Sequence, residues 1–368
     1  MRAQILSEVE NLREDLIQDI IKLVKINSIR SKSGQSYPYG IGIHECLHAA
    51  LSISSDLGFN TRNIDEQMGY ASYGQGEGYI AAVGHIDVVE IKNEKDWKYP
   101  PFKGVIKDNR IYGRGVLDNK GPILCCLYGL YALKRLGIEP KHELRVIYGC
   151  NEETGMADVP IYLSKENPPL MGWTPDCKYP AVYTECGRIT YTIKTSLTEA
   201  DYFHSLIKQY FINHTLGDSL GIAYQDELGI LELLGFEEYK DKTSLFFKFV
   251  VSYPASCKFD FIDEQIREKL QGIEIEMNQF LSPVYHNPKS PLCNVLGEVY
   301  TSITGLSGTP VSTRGGTYAK VMPNIVAFGP SLPNQKGISH LPNEWMDIDD
   351  IIMNAKIYAL SFYELGCK

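Results

Sequence analysis

The pattern of apolar and polar positions changes twice along the chain. Residues 8–29 repeat apolar side chains at Val9, Leu12, Leu16, Ile20, Leu23 and Val24, the spacing of one helix face. Residues 44–57 predict a second helix, stopped by Gly58. "YIAAVGHIDVV" (79–89) is a continuous apolar run bounded by glycine, which fits a strand buried on both faces. "VIKDNRIYGRG" predicts a hairpin turning at Asp108–Asn109. In "DNKGPILCCLYGLYALKRLG", Pro122 suits a first helical turn, Lys134 and Arg135 a last one, and Gly137 the stop. "ELRVIYGC" predicts another buried strand. Strands alternating with helices imply an α/β layer with a mostly parallel sheet.

From about residue 187 the strands alternate polar and apolar ("RITYTIKTS", "SLFFKFVVSY") and the helices turn amphipathic ("ADYFHSLIKQYFINH", "IDEQIREKLQG"). This α+β pattern predicts a smaller second domain over 187–285, inserted into a first domain of 1–186 and 286–368. The α/β character returns with a helix over 292–304, a strand in "NIVAFGP" and a last helix over 348–365.

A formal net charge of −9 argues against nucleic acid or an anionic membrane as the main partner, since either selects a basic face. No stretch approaches the ~18 apolar residues of a membrane span. The N-terminal segment carries acids throughout and lacks a signal peptide's apolar run and cleavage site. Nine cysteines without a regular framework fit free thiols in a reducing, cytoplasmic setting, and Cys125–Cys126 read as packing residues.

In open α/β sheets, ligands bind beyond the carboxyl ends of the strands. His85 and Asp87 follow the strand at 79–84, and Asp118 follows the hairpin. Glu152 and Glu153 follow the strand at 144–150, with Asp176 and His340 further on. Singly each has an ordinary reading: an acidic pair is commonly a solvated loop, a late histidine a surface residue, and Asp118 a helix cap. Together they suit two zinc ions, each taking about three His, Asp or Glu ligands, with one carboxylate shared. Asp118 is the natural bridge, completed by His85 and Asp176 for one ion and by Glu153 and His340 for the other. Two Zn2+ balance three ligand carboxylates and one hydroxide; Mn2+ or Co2+ also suits such donors. Asp87, two residues along an extended chain from His85, points the same way and can orient the imidazole. Glu152 can take a proton from zinc-bound water and return it to a leaving amine.

These segments, with "PPFKGVIKDNRIYGRGVLDNKGP", "TPDCKYPAVYTECG" and "RGGTYAK…PNIVAFGP…GISHLPNE", resemble the di-zinc peptidases of the aminoacylase/carboxypeptidase type, closest to the bacterial β-Ala-Xaa (Xaa-His) dipeptidases. The resemblance implies a catalytic α/β domain interrupted by a lid. It implies metal ligands at His85, Asp118, Glu153, Asp176 and His340, a general base at Glu152 and an orienting acid at Asp87. "RGGTYA" matches the loop that holds a substrate carboxylate, hence Arg314, Gly315, Gly316 and Thr317. Asn119 stands where the family often has a second aspartate. The lid is short, its usual histidine has no clear counterpart, with His204 and His214 the nearest candidates, and Ser252 replaces a lid arginine.

The expected function is a metal-dependent dipeptidase acting on short peptides through a zinc-bound hydroxide. The alternatives are an N-acyl amino acid amidohydrolase, or a lid-truncated relative without turnover. A short lid with a free sheet edge also suggests a homodimer.

Overall fold

A computed structural model describes every residue except 334 and 336. Its contacts divide the chain into two units: residues 1–182, 287–310 and 317–368, and residues 183–286 with 311–316. The second unit therefore takes in a short segment beyond the 187–285 stretch marked by the change of pattern.

The first unit opens with α1 (Arg2–Asn11), α2 (Arg13–Val24) and α3 (Ile41–Asp56). The single helix expected over 8–29 is two, broken at Leu12, whose φ of −90° and ψ of 3° leave the helical range. Next come β1 (Asn60–Ile64), β2 (Met68–Tyr73), β3 (Tyr79–His85), the hairpin β4 (Val105–Lys107) and β5 (Arg110–Tyr112), α4 (Lys120–Arg135), β6 (Glu143–Gly149), α5 (Asp158–Leu163) and β7 (Met171–Thr174). Asp108 and Asn109 turn the hairpin with φ of 51° and 58°, the left-handed pair that a tight turn between twisted strands requires.

The second unit contributes β8 (Gly187–Ser196), α6 (Ala200–Tyr210), β9 (Glu232–Lys240), β10 (Ser244–Tyr253), α7 (Phe259–Lys269) and β11 (Glu274–Leu281). The chain then returns with α8 (Pro291–Thr304), β12 (Ile325–Ala327), β13 (Trp345–Asp347) and α9 (Ile348–Gly366).

The main sheet of the first unit runs β1-β2-β6-β3-β7-β12. Its centre, β6-β3-β7-β12, is parallel, while β1 and β2 add antiparallel neighbours at one edge. Because β3 is buried on both faces, it reads as an uninterrupted apolar run. Tyr148, Gly84 and Trp173 face α3, α4 and α9 respectively. The opposite face meets α5 through Arg145 and Tyr162, and Tyr318 at Gly149. Trp173 is fully buried against Tyr358 and Phe362, with centroids 6.0 and 4.6 Å away. A ring of that size removes about 150–250 Å2 from water, worth roughly 4–6 kcal/mol of transfer free energy. Gly129 lets α4 approach the backbone of Ala355 and Ala359 in α9, where a Cβ would collide.

The second unit is a four-stranded antiparallel sheet, β9-β10-β8-β11, packed on its two helices. Ile189, Tyr191 and Ile193 of β8 and Phe247, Phe249 and Val251 of β10 point inward with Phe203, Phe211, Ile262 and Ile266. That is the period-two alternation legible in both strands.

Candidate metal centre

Parallel pairing puts the carboxyl ends of β3, β6 and β7 along one edge. His85 ends β3 opposite Gly149, the last residue of β6, and Asp176 lies two residues beyond the end of β7. Asp118 sits just before α4. A side chain at Gly84 would overlap Asn119 Oδ1 and Ile123, so glycine is what lets β3 lie this close to the start of α4.

Two groups of ligand-type side chains result, His85–Asp118–Asp176 and Asp118–Glu153–His340. His85 Nε2 lies 3.1 Å from Asp118 Oδ1 and 3.4 Å from Asp176 Oδ2. His340 Nε2 lies 3.0 Å from Asp118 Oδ2 and 3.1 Å from Glu153 Oε1. Each oxygen of Asp118 thus faces a different imidazole, the disposition a bridging carboxylate needs. His85 is fully buried while His340 is half exposed, so the cluster is sealed on one side and open on the other.

The donor set fits a pair of cations on two counts. His85 Nε2 is buried and makes no hydrogen bond of good geometry despite its two carboxylate neighbours. The cluster also holds protons that only a crowd of uncompensated carboxylates would hold. Burial, then the charge of Asp118, push Asp176 up to about 7. Burial and Asp118 likewise raise Glu153, and burial with Asp176 raises Glu152 well above the ordinary carboxylate range. Hydrogen bonds to Asp118 and Glu153 push His340 up to about 10. Asp118 alone goes down: burial would raise it, but the imidazoles of His340 and His85 prevail. Positive charge placed among these groups opposes every one of the raised values and, like the imidazoles, keeps Asp118 ionised.

Asp87 differs from the expected geometry. His85 Nδ1 is nearest the Asp87 backbone carbonyl, at 3.0 Å, and 3.4 Å from the carboxylate. The carboxylate instead accepts the backbone N–H groups of Glu152 (3.2 Å) and Glu153 (3.1 Å). One residue thus orients the imidazole through its main chain and holds the Glu152–Glu153 loop through its side chain.

Two positioning residues, Glu344 and Asp158, escaped the sequence reading, as did the positioning role of Asn119. Glu344 is fully buried; its Oε1 accepts N–H groups from Gly115 (3.0 Å), Leu117 (2.8 Å) and Asp118 (3.1 Å), and its Oε2 accepts from Arg114 (2.8 Å). Asp158 accepts the N–H groups of Cys150 and Asn151, fixing the start of the Glu152–Glu153 loop. Asn119 accepts from the His85 N–H and donates to the carbonyl of Pro175, linking the loops of Asp118 and Asp176. Glu344 lies in "HLPNE", four residues after His340, but nothing local distinguishes it from a solvated glutamate.

A profile of the family described as Peptidase family M20/M25/M40 matches residues 81–364. The chain belongs to this peptidase family. It is therefore a hydrolase, of a family that depends on metal. Among curated relatives, the Beta-Ala-Xaa dipeptidase of Lactobacillus delbrueckii subsp. lactis is 26% identical, with 97% of each chain covered. A putative dipeptidase of Bacillus subtilis, YtjP, is 25% identical over 98% of this chain and 99% of the relative. The fold matches human carnosine dipeptidase 1 with a TM-score of 0.79 at 14% identity, covering 99% of this chain and 98% of that one. It matches the M20 family metallo-carboxypeptidase Sso-CP2 of Sulfolobus solfataricus with a TM-score of 0.73 at 18% identity, covering 95% and 99%.

In this M20 peptidase the expected substrate loop is divided between the two units. Arg314, Gly315 and Gly316 are exposed in the second, where Arg314 pairs with Glu232 at 2.7 Å. Thr317 is buried in the first and caps the following turn by accepting the Ala319 N–H. His204 and His214 are surface residues of the second unit, paired with Glu238 (2.9 Å) and Asp218 (2.8 Å). Ser252 is buried on β10 opposite Arg188 of β8.

Proposed function

We propose that this M20 peptidase is a dipeptidase carrying two divalent ions, zinc by the chemistry of the donors. His85 and Asp176 would hold one ion and Glu153 and His340 the other, with Asp118 shared. The observation that carries this reading is that Asp118 turns one oxygen to each imidazole beside a buried Glu152. Ions bound there supply Lewis acidity to the scissile carbonyl and lower the pKa of a water toward neutrality.

The chain's own residues do the rest. Glu152 takes a proton from the attacking water and passes it to the leaving nitrogen, and its raised proton affinity suits a group that must hold a proton between the two transfers. Asp87 fixes the backbone that carries Glu152 and Glu153. The exposed backbone of Arg314–Gly316, together with Thr317, receives the substrate carboxylate. The unit carrying β8 to β11 acts as a lid, and its exposed edge strand β11 supports a homodimer, which light scattering would show as twice the 41.4 kDa chain. Nine cysteines, seven of them buried and none in a disulfide among the described residues, support a reducing, cytoplasmic setting.

The test is a dipeptide panel with free and acylated N-termini, run on the parent protein and on Glu152→Gln. We expect hydrolysis of free dipeptides by the parent and a fall of about 10²–10⁴-fold in the variant with its metal content unchanged. Unimpaired turnover in the variant would refute the role of Glu152, and a preference for acylated substrates would favour the amidohydrolase alternative.

A further inference from the structure

A third group of ligand-type side chains lies on the first unit and shares no residue with the centre described above: His44, His48 and Glu66. The two histidines stand one turn apart on α3, in the order His44-Glu45-Cys46-Leu47-His48, so both imidazoles leave the same face of the helix. Pairs with this spacing are a recurrent way for a helix to grip zinc. Opposite them is Glu66, in the turn between β1 and β2. Asn63 donates to Glu66 Oε1 at 2.9 Å and accepts the Glu66 N–H at 2.9 Å, which leaves Oε2 facing the helix.

Glu66 Oε2 lies 3.0 Å from His44 Nδ1 and 2.8 Å from His48 Nε2, and the three donor atoms all fall within 4.8 Å of one another. Nitrogen and oxygen donors about 2.0–2.2 Å from a tetrahedral zinc lie roughly 3.3–3.5 Å apart, so small side-chain rotations suffice. His44 Nδ1 is sealed from solvent and makes no hydrogen bond of good geometry, although the carboxylate is beside it. The same signature marks His85 Nε2. The imidazole of His48 is half exposed, which leaves room for water as a further ligand.

We propose that His44, His48 and Glu66 form a separate mononuclear site for a divalent ion of the zinc class, which ties the β1–β2 turn to α3. Two imidazoles and one carboxylate are the donors of a zinc or cobalt site rather than of a calcium or magnesium one. The ion joins an edge of the sheet to the helix that covers it, so its effect is to stiffen that edge, and the dinuclear centre does not depend on it.

The experiment uses the full chain without a histidine tag, stripped with chelator, reloaded with Zn2+ or Co2+, freed of excess by gel filtration and analysed for metal per chain. His48→Ala and Glu66→Gln should each carry one ion fewer than the parent after gel filtration, while dipeptide turnover stays within twofold. Both positions are at the surface, and circular dichroism of the stripped proteins shows that the variants fold. Asp118→Asn, which disables the other centre, should still take up one Zn2+ that is lost on adding His48→Ala. The difference of one ion persists whether or not the dinuclear reading holds, so the two stand or fall separately. Equal metal content in the parent, His48→Ala and Glu66→Gln, or no Zn2+ uptake by Asp118→Asn, would overturn the proposal.

Discussion

Truncating Glu344 tests the idea that Asp118 is held in place by a buried carboxylate rather than by its own turn alone. In Glu344→Ala three backbone N–H groups and the buried Arg114 guanidinium lose one shared, fully buried acceptor. Hydrogen bonds to a charged group are worth about 1.5–3 kcal/mol each, but groups that share one acceptor do not add. Removing one partner of a buried ion pair costs about 3–5 kcal/mol, mostly because the other charge is stranded. Burial raises Glu344 to about 7, with Arg114 opposing and Asp118 reinforcing the rise, so desolvation offsets part of the pairing and the lower half of that range applies. Against a typical stability of about 5–15 kcal/mol this is a large loss, and the melting temperature should fall on the order of 10 °C. Melting is measured with chelator present, so that ion binding does not add to the stability of either form. The amides released include that of Asp118 itself, so zinc affinity should drop about 10–100-fold in a competition titration. The double variant Arg114→Met/Glu344→Gln keeps an acceptor for the three amides and removes the stranded charge, so it should lose less than half as much as Glu344→Ala. A melting temperature for Glu344→Ala within about 1 °C of the parent, or a double variant less stable than the single one, would refute the reasoning.

Asp118→Asn should lower the tightly bound zinc by two ions per chain, because both groups share that carboxylate; loss of only one, by elemental analysis, would show that it does not bridge. Asp87→Asn places an amide N–H where two backbone N–H groups need an acceptor, and turnover should fall about 10–100-fold with little change in substrate affinity, as steady-state kinetics would show. The pH dependence has a definite sign. Asp176 is raised from 3.8 to about 7 and His340 from 6.5 to about 10, so in stripped protein each stabilises the fold below its unfolded pKa and loses that contribution as pH rises through the folded value. Ions must displace those protons, so the melting gap between zinc-loaded and stripped protein should widen from pH 6 to pH 8; an unchanged gap would contradict it.

Much of this molecule is written in local pattern. The apolar run of β3, the alternation of β8 and β10 and the helix signals around Pro122 and Gly137 each depend on neighbours a few residues away, and one chain displays them directly. The grouping of the candidate site was legible for a related reason: where strands are parallel, whatever follows them arrives at one edge, so His85, Glu153 and Asp176 could be placed together before any contact was known. The second unit's outer strands were not legible. β9 and β11 are largely exposed, carry acids and keep no clean alternation, and they are strands because β10 and β8 offer them backbone partners. The break at Leu12 left no mark in an apolar spacing that continues across it.

Distance along the chain separates what could be read from what could not. Residue types and their order establish that carboxylates and imidazoles gather at strand ends. Folding alone decides that each oxygen of Asp118 meets a different imidazole, that Asp87 turns its carboxylate to the amides of residues 152 and 153, and that Glu344 is a buried anchor. A hydrogen bond between positions 344 and 118 has no periodicity, because it depends on packing between segments that share no local geometry. The same holds for Glu66 facing His44 and His48: the helical spacing is visible in the chain, and the third donor becomes visible only when the turn folds onto the helix.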